Sequence, residues 1–153
     1  MKNLPRWSII LILLLTTGLI ILSVARFANK STVLARGVLR IEGALVPKAK
    51  GIRTVFIVVY DEESPMPMPW AAIKETLSKD AEGDFLKFIL TKDNMQQMNP
   101  NSHKLPQKIR IKARLDRDGQ GGVDQPGDLT GSISGVSTGA EGLVIPINNY
   151  WDP

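Results

Sequence analysis

The sequence predicts an all-β domain, a seven-stranded immunoglobulin-like or transthyretin-like sandwich, preceded by one N-terminal transmembrane helix. Three observations predict this. Trp7 to Ala25 is a 19-residue run without a charged side chain. Beyond residue 36, short runs alternate apolar and polar side chains with the period of a half-buried strand. Gly, Pro, Asn and Asp cluster between those runs, where turns need them.

The apolar run comes first in the chain. A 19-residue helix rises about 1.5 Å per residue and so covers roughly the 30 Å hydrocarbon core of a bilayer. Arg6 and Arg26 bracket the run, and Trp7 sits where an indole favours the headgroup interface. The competing reading is a signal segment, with a basic start, an apolar stretch from Ile9 to Leu22 and small residues at Ser23-Val24-Ala25. The length of the run favours a transmembrane anchor, or an uncleaved signal, over residues 1–26. Basic residues nearly balance on the two flanks, so they do not set the orientation. A cationic start before an apolar run is what an export pathway reads. The expected location is therefore the bacterial inner membrane, single-pass through residues 7–25, with the rest in the periplasm.

Residues 27–36 read as a polar linker, and 37–153 as the periplasmic domain. The clearest strand is Lys108 to Asp116, with Ile109, Ile111, Ala113 and Leu115 opposite Arg110, Lys112, Arg114 and Asp116. Val38 to Glu42 alternates in the same way. Arg53 to Tyr60 is apolar on both faces, the pattern of a strand buried on both sides. Phe85 to Leu90, Leu143 to Ile147, Gly127 to Ser134 and a short edge strand at Trp70 to Ile73 complete the set of seven. Only Trp70 to Asp80 and Asp93 to Met98 have the composition for a helical turn. Pro65, Pro67 and Pro69 lack amide hydrogens, so their segment is no central strand. Asp116 to Gly127, with four glycines and one proline, reads as a loop.

Charge excludes a nucleic-acid role. The net charge is +4, but residues 1–36 hold five basic residues and no acid, while residues 37–153 hold 14 basic and 15 acidic residues. A domain that displaces counterions from phosphates carries its positive charge on the folded surface. The chain has no cysteine, which removes disulfides, thiolate metal sites and haem attachment through thioethers.

Chemistry-bearing residues are sparse. His103 is the sole histidine and lies in a polar turn, where it reads as solvated. Asp116, Asp118 and Asp124 stand at spacings that let a loop wrap oxygens around Ca²⁺. The loop is not an EF-hand, because its twelfth position is Gly127 instead of a bidentate Glu. Met66, Met68, Met95 and Met98 are soft donors without a nearby His or Cys, and read as adaptable packing. Met66, Met68, Trp70, Tyr150 and Trp151 are the candidates for a partner-binding patch, since large exposed aromatic and thioether side chains mark such sites. No catalytic constellation and no cofactor site emerges.

Several pieces also occur in a familiar order. Thr54 to Tyr60 precedes Ser64-Pro65-Met66-Pro67-Met68-Pro69-Trp70-Ala71-Ala72-Ile73-Lys74, then Leu90-Thr91-Lys92-Asp93-Asn94-Met95. Ala113-Arg114-Leu115-Asp116-Arg117-Asp118-Gly119 and Gln125-Pro126-Gly127-Asp128-Leu129-Thr130-Gly131 follow. Together, over about residues 37–149, they resemble the C-terminal periplasmic domain of the cytochrome c maturation protein of the CcmI/CycH type. Met66, Pro67, Arg114, Pro126, Gly127 and Asp128 match its pattern. The resemblance implies a membrane-tethered periplasmic module that, in the family, accompanies TPR repeats holding unfolded apocytochrome c. This chain has no TPR repeats and one apolar run in place of a longer membrane region. No catalytic residue carries over.

The expected function is thus a non-catalytic, membrane-anchored binding or scaffold protein linked to cytochrome c maturation or cytochrome complex assembly. Its partners would be a c-type cytochrome, cytochrome maturation proteins or respiratory complex subunits. A permanent accessory subunit of a respiratory or electron-transfer complex is an alternative. A calcium-dependent ligand-binding module using Asp116, Asp118 and Asp124 is another.

Overall fold

A computed structural model describes residues 32–65, 68–98 and 104–152. The apolar run at 7–25 lies outside these residues. Among the described residues no helix is long and apolar enough to cross a membrane.

The described residues are mostly strand, arranged in two sheets. In order come β1 (Val33–Ile41), a 3₁₀ turn (Gly43–Leu45), α1 (Val46–Ala49), β2 (Thr54–Asp61), β3 (Pro69–Thr76) and β4 (Asp84–Thr91). Then follow β5 (Gln96–Gln97), β6 (Lys108–Asp116), β7 (Leu129–Ser137), β8 (Ala140–Ile147) and β9 (Asn149–Tyr150). One sheet has the order β4-β1-β8; the other has β5-β3-β2-β6-β7-β9. β1 pairs antiparallel with β4 and parallel with β8. The larger sheet is antiparallel throughout.

The alternation read from the sequence sets which side chains face inward. Val55, Ile57 and Val59 of β2 and Ile109, Ile111, Ala113 and Leu115 of β6 are fully buried. They join one apolar cluster with Leu39 and Ile41 of β1, Phe88 and Leu90 of β4, and Ile145 and Ile147 of β8. That shared core holds the two sheets together, since burying an aliphatic side chain is worth about 1.5–3 kcal/mol.

Several expectations need correction. β1 begins at Val33, inside the segment read as linker, and Leu34 and Ala35 are fully buried. A register shift between Val33 and Ala35 breaks the period-two pattern there, so the strand start is hidden in the sequence. The two segments with helical composition are not helical: 70–76 belongs to β3, and 93–98 makes a turn and β5. The short helix forms instead at Val46–Ala49, where Pro47 stands in the first turn, the helical position that tolerates a missing amide. β2 is not buried on both sides, because Phe56, Val58 and Tyr60 are only half-buried on its outer face. The described residues hold nine strands instead of seven, two of them only two residues long.

β7 and β8 lie in different sheets and are joined by a tight turn at Thr138-Gly139. They cross so closely that a Cβ built on Gly131 would stand 1.8 Å from the Pro146 carbonyl oxygen. Backbone meets backbone there, so no side-chain rotation relieves the clash. Gly131→Ala is expected to destabilise the protein by about 1–3 kcal/mol or more, in the range of an overpacked core. Gly43→Ala has open space around the new methyl and should change stability by less than about 1 kcal/mol. Urea unfolding of the two variants checks this, and equal midpoints would refute the crossing constraint.

Candidate functional site

The candidate site grows from the strand pairing of the larger sheet. Odd positions of β2 face the core, so Phe56, Val58 and Tyr60 line up on the outer face. β6 runs alongside in a register that sets Arg114 opposite Phe56, Lys112 opposite Val58 and Arg110 opposite Tyr60. On the other flank, β3 sets Ala72 opposite Val58 and Lys74 opposite Phe56. The outer face is therefore an apolar stripe between cations. Lys74 Nζ and the Arg114 guanidinium stand 5.5 and 5.4 Å from the Phe56 ring centroid, and the Arg110 guanidinium stands 4.5 Å from that of Tyr60. Each lies within reach of the attraction between a cation and a ring face.

The loop joining β6 to β7 folds back over this face. Its carbonyls at Gly119 and Gly122 accept hydrogen bonds from Lys74 Nζ at 2.8 Å and from Arg114 Nη1 at 2.9 Å. Asp124 pairs with Lys112. Gly121 has a positive φ of 76°, and a Cβ there would stand 3.3 Å from the Phe56 ring, so the loop backbone rests on the ring edge. At its far end the tail after β9 closes against the loop. The Gly127 amide donates to the Trp151 carbonyl at 2.7 Å, and the Trp151 amide donates to the Asp128 carbonyl at 2.9 Å.

The result is a groove of about 790 Å³, within the size range of binding clefts. Phe56, Val58, Tyr60, Ala72 and Ile73 form one side. Val123, Trp151, Met98 and Pro69 add apolar surface, and Lys74, Lys112, Arg114, Gln96 and Asp124 bring polar atoms.

A buried charge cluster anchors the loop to the sheet. Arg114 is 5 % exposed, and Asp116 and Asp128 are each 2 % exposed. Arg114 Nη2 meets Asp116 Oδ2 at 2.6 Å, Nη1 meets Asp124 Oδ1 at 3.3 Å, and Nε lies 3.7 Å from Asp128 Oδ2. Nε makes no hydrogen bond. The carboxylates also hold main-chain amides. Asp116 accepts from Gly119 N, Asp118 from Gln120 N at 2.9 Å, and Asp128 from Arg117 N at 3.0 Å and Gln125 N at 2.9 Å. Burial pushes the Asp116 carboxyl above its ordinary pKa, and a hydrogen bond to Asp118 adds to the rise against the pull of Gly119 N and Arg114. Asp118 moves the other way, lowered first by the Gln120 amide and then by Asp116. As pH falls, Asp116 takes up the pair's proton before Asp118 does.

These contacts decide where the residues singled out from the sequence stand. Asp116, Asp118 and Asp124 are engaged by amides, Arg114 and Lys112. The described residues contain no group of three or more His, Cys, Asp or Glu placed to hold a metal ion. Trp70 is not an exposed partner candidate: it is 4 % exposed, in the core, with its Nε1 making no hydrogen bond. It occupies the extra position where β3 slips register against β2, and the bulge turns its ring inward. Tyr150 is half-buried against the core, with Lys48 Nζ 4.1 Å from its ring centroid. Met68 is 49 % exposed and Trp151 45 % exposed; only Trp151 of these two lines the groove. Met95 is buried, while Met98 is exposed on the groove rim. Arg114, Gly127 and Asp128 come together at the base of the loop, with Pro126 exposed beside them. Met66, Pro67 and His103 lie outside the described residues.

Sequence reasoning missed Phe56, Val58, Lys74 and Lys112 as site residues. Their signal was the mismatch between a doubly apolar β2 and a β6 that alternates with cations. Comparison with protein families, curated proteins and solved structures finds no match for the chain.

Removing Arg114 leaves its carboxylates buried without their cation. Arg114→Ala is expected to cost about 3–5 kcal/mol, the range for breaking a buried ion pair; urea unfolding measures it, and a loss under about 1 kcal/mol would show that the cluster does not hold the fold. The pH dependence has a definite sign. The folded pKa of Asp118 lies below its ordinary value, so its stabilisation is in force above the ordinary carboxylate pKa and is lost as pH falls through the lowered one. Asp118→Asn should therefore narrow the gap between urea midpoints at pH 7 and pH 3, and an unchanged gap contradicts the assignment.

Proposed function

We propose that the protein is a non-catalytic binding or scaffold module, anchored through residues 7–25 in a bacterial inner membrane with its β domain in the periplasm. Its role is in cytochrome c maturation or the assembly of a cytochrome complex. The groove over the outer face of the larger sheet carries the binding part of this reading. It offers apolar surface to a partner, while the acids near it are spent on holding the loop. The family part rests on the ordered motifs. Three of their positions, Arg114, Gly127 and Asp128, meet at the base of the loop that walls the groove.

A finer fold assignment belongs to the same proposal, namely an immunoglobulin-like or transthyretin-like sandwich. Seven strands of eight or nine residues in two sheets support it. The parallel pairing of β1 with β8 departs from a purely antiparallel sandwich.

The test is purification of the native protein from bacterial membranes in mild detergent. A c-type cytochrome, a cytochrome maturation protein or a respiratory subunit should accompany it, and Val58→Asp in the groove floor should reduce the recovered partner at least fivefold. Stoichiometric recovery would mark a permanent accessory subunit, and substoichiometric recovery an assembly factor. Recovery of none of the three classes would overturn the proposal.

A further inference from the structure

The groove's cations divide into two kinds. Lys112 and Arg114 have carboxylate partners within the protein. Lys74 and Arg110 have no carboxylate partner among the described residues. Lys74 donates to the Gly119 carbonyl and stands over Phe56; Arg110 stands over Tyr60. Each is held by a ring, which fixes the position of its charge without neutralising it.

Their placement is regular. Lys74 registers with Phe56 on the β3 side, and Arg110 registers with Tyr60 on the β6 side. Phe56 and Tyr60 are four residues apart on one strand, about 13 Å at a strand's rise, and β3 and β6 each lie about 4.8 Å from β2. The Cα atoms of these two residues thus stand about 16 Å apart on a diagonal. Val58 and its neighbour Ala72 lie between them, and Trp151 and Val123 rise on one side. Tyr60 lines both the main groove and the adjoining hollow, so the surface is continuous; that hollow holds Arg110 together with Asp61 and Glu62, whose carboxylates accept from the Glu63 and Gly135 amides and form no ion pair with Arg110.

We infer that this face takes an extended acidic–apolar peptide segment of a partner protein. Two carboxylates seat at Lys74 and Arg110, and an apolar or aromatic side chain between them seats on Val58 and Phe56. The inference rests on the reading of the chain as a binding module and names the chemistry of its ligand. Side chains alternate along an extended peptide, so residues i, i+2 and i+4 share a face, and i to i+4 covers about 13 Å before side-chain reach is added. The remaining roughly 3 Å to the diagonal between Lys74 and Arg110 lies within the reach of two glutamate side chains. A single-stranded nucleic acid also combines anions with stacking surfaces. The peptide is favoured because only two cations of this face, Lys74 and Arg110, are left without an ion pair among the described residues, which suits two separate carboxylates better than a phosphate at every nucleotide.

The test uses the full-length protein in mild detergent and the fluorescence of Trp151, which lines the groove. The probe is a soluble peptide with a Glu-Ser-Phe-Ser-Glu centre. Controls replace both glutamates by lysine, or the phenylalanine by serine, and a fourth probe is a short oligothymidine. The glutamate peptide should shift the emission saturably, and Trp151→Phe should remove that shift. Raising the salt should weaken binding. Lys74→Glu and Arg110→Glu should each weaken it at least tenfold; Lys74→Met and Arg110→Met, which remove charge without reversing it, should each weaken it at least threefold. Melting temperatures equal to wild type confirm that the variants fold.

The inference is overturned if the glutamate peptide fails to bind, if the lysine peptide or oligothymidine binds as tightly, or if folded charge variants bind like wild type. Failure here, with a cytochrome or maturation partner still recovered from membranes, removes the ligand class and leaves the proposed function standing. Peptide binding as predicted, with none of those partners recovered, removes the proposed function and keeps the ligand class.

Discussion

The structure around the groove depends on one buried cation. Arg114 sits near the end of β6, with its guanidinium under the following loop and three carboxylates around it. A charge taken out of water costs several kcal/mol unless opposite charge and hydrogen bonds replace the lost hydration. Here the replacement comes from Asp116 at the end of the strand and from Asp124 and Asp128 farther along the loop. The loop can satisfy Arg114 only by folding back over the sheet, and the groove wall is the consequence of that demand.

Two of these carboxylates, joined by Asp118, do a second task. Loop 117–128 contains glycines with positive φ at 119, 121, 122 and 127, so its backbone has few intrinsic preferences and a large entropy to lose. Asp116, Asp118 and Asp128 each accept hydrogen bonds from loop amides, which fixes the turns one after another. Electrostatics and turn geometry are therefore not separable in this loop. The aspartates that resemble a cation site by spacing are occupied by the protein's own donors, and that occupation gives the groove a definite shape.

The two faces of the larger sheet divide the work of the molecule. The inner face meets the smaller sheet through aliphatic side chains and supplies the core. The outer face keeps an apolar stripe that the loop covers only in part, flanked by cations on both neighbouring strands. In the proposed binding role such a surface would act through contact area and charge placement. Close backbone packing where β7 crosses β8 keeps the sheet carrying this face fixed against the other.

What the sequence determined by itself is the class of structure and the division of side chains between faces. Period-two alternation in 108–116, and the separate breakers around it, dictate strands whose inner sides must meet, because only pairing and stacking bury those residues. The location of charge near the apolar run likewise follows from counting alone. Tertiary structure decided the rest. Strand order, the parallel match of β1 with β8 and the bulge that turns Trp70 inward depend on partners distant in the chain. Phe56 and Lys74 become neighbours only through register, and Asp124 meets Lys112 only once the loop folds back. Local pattern encodes which face a residue takes; it holds no information on which strand lies beside it, and the groove is made of such adjacencies.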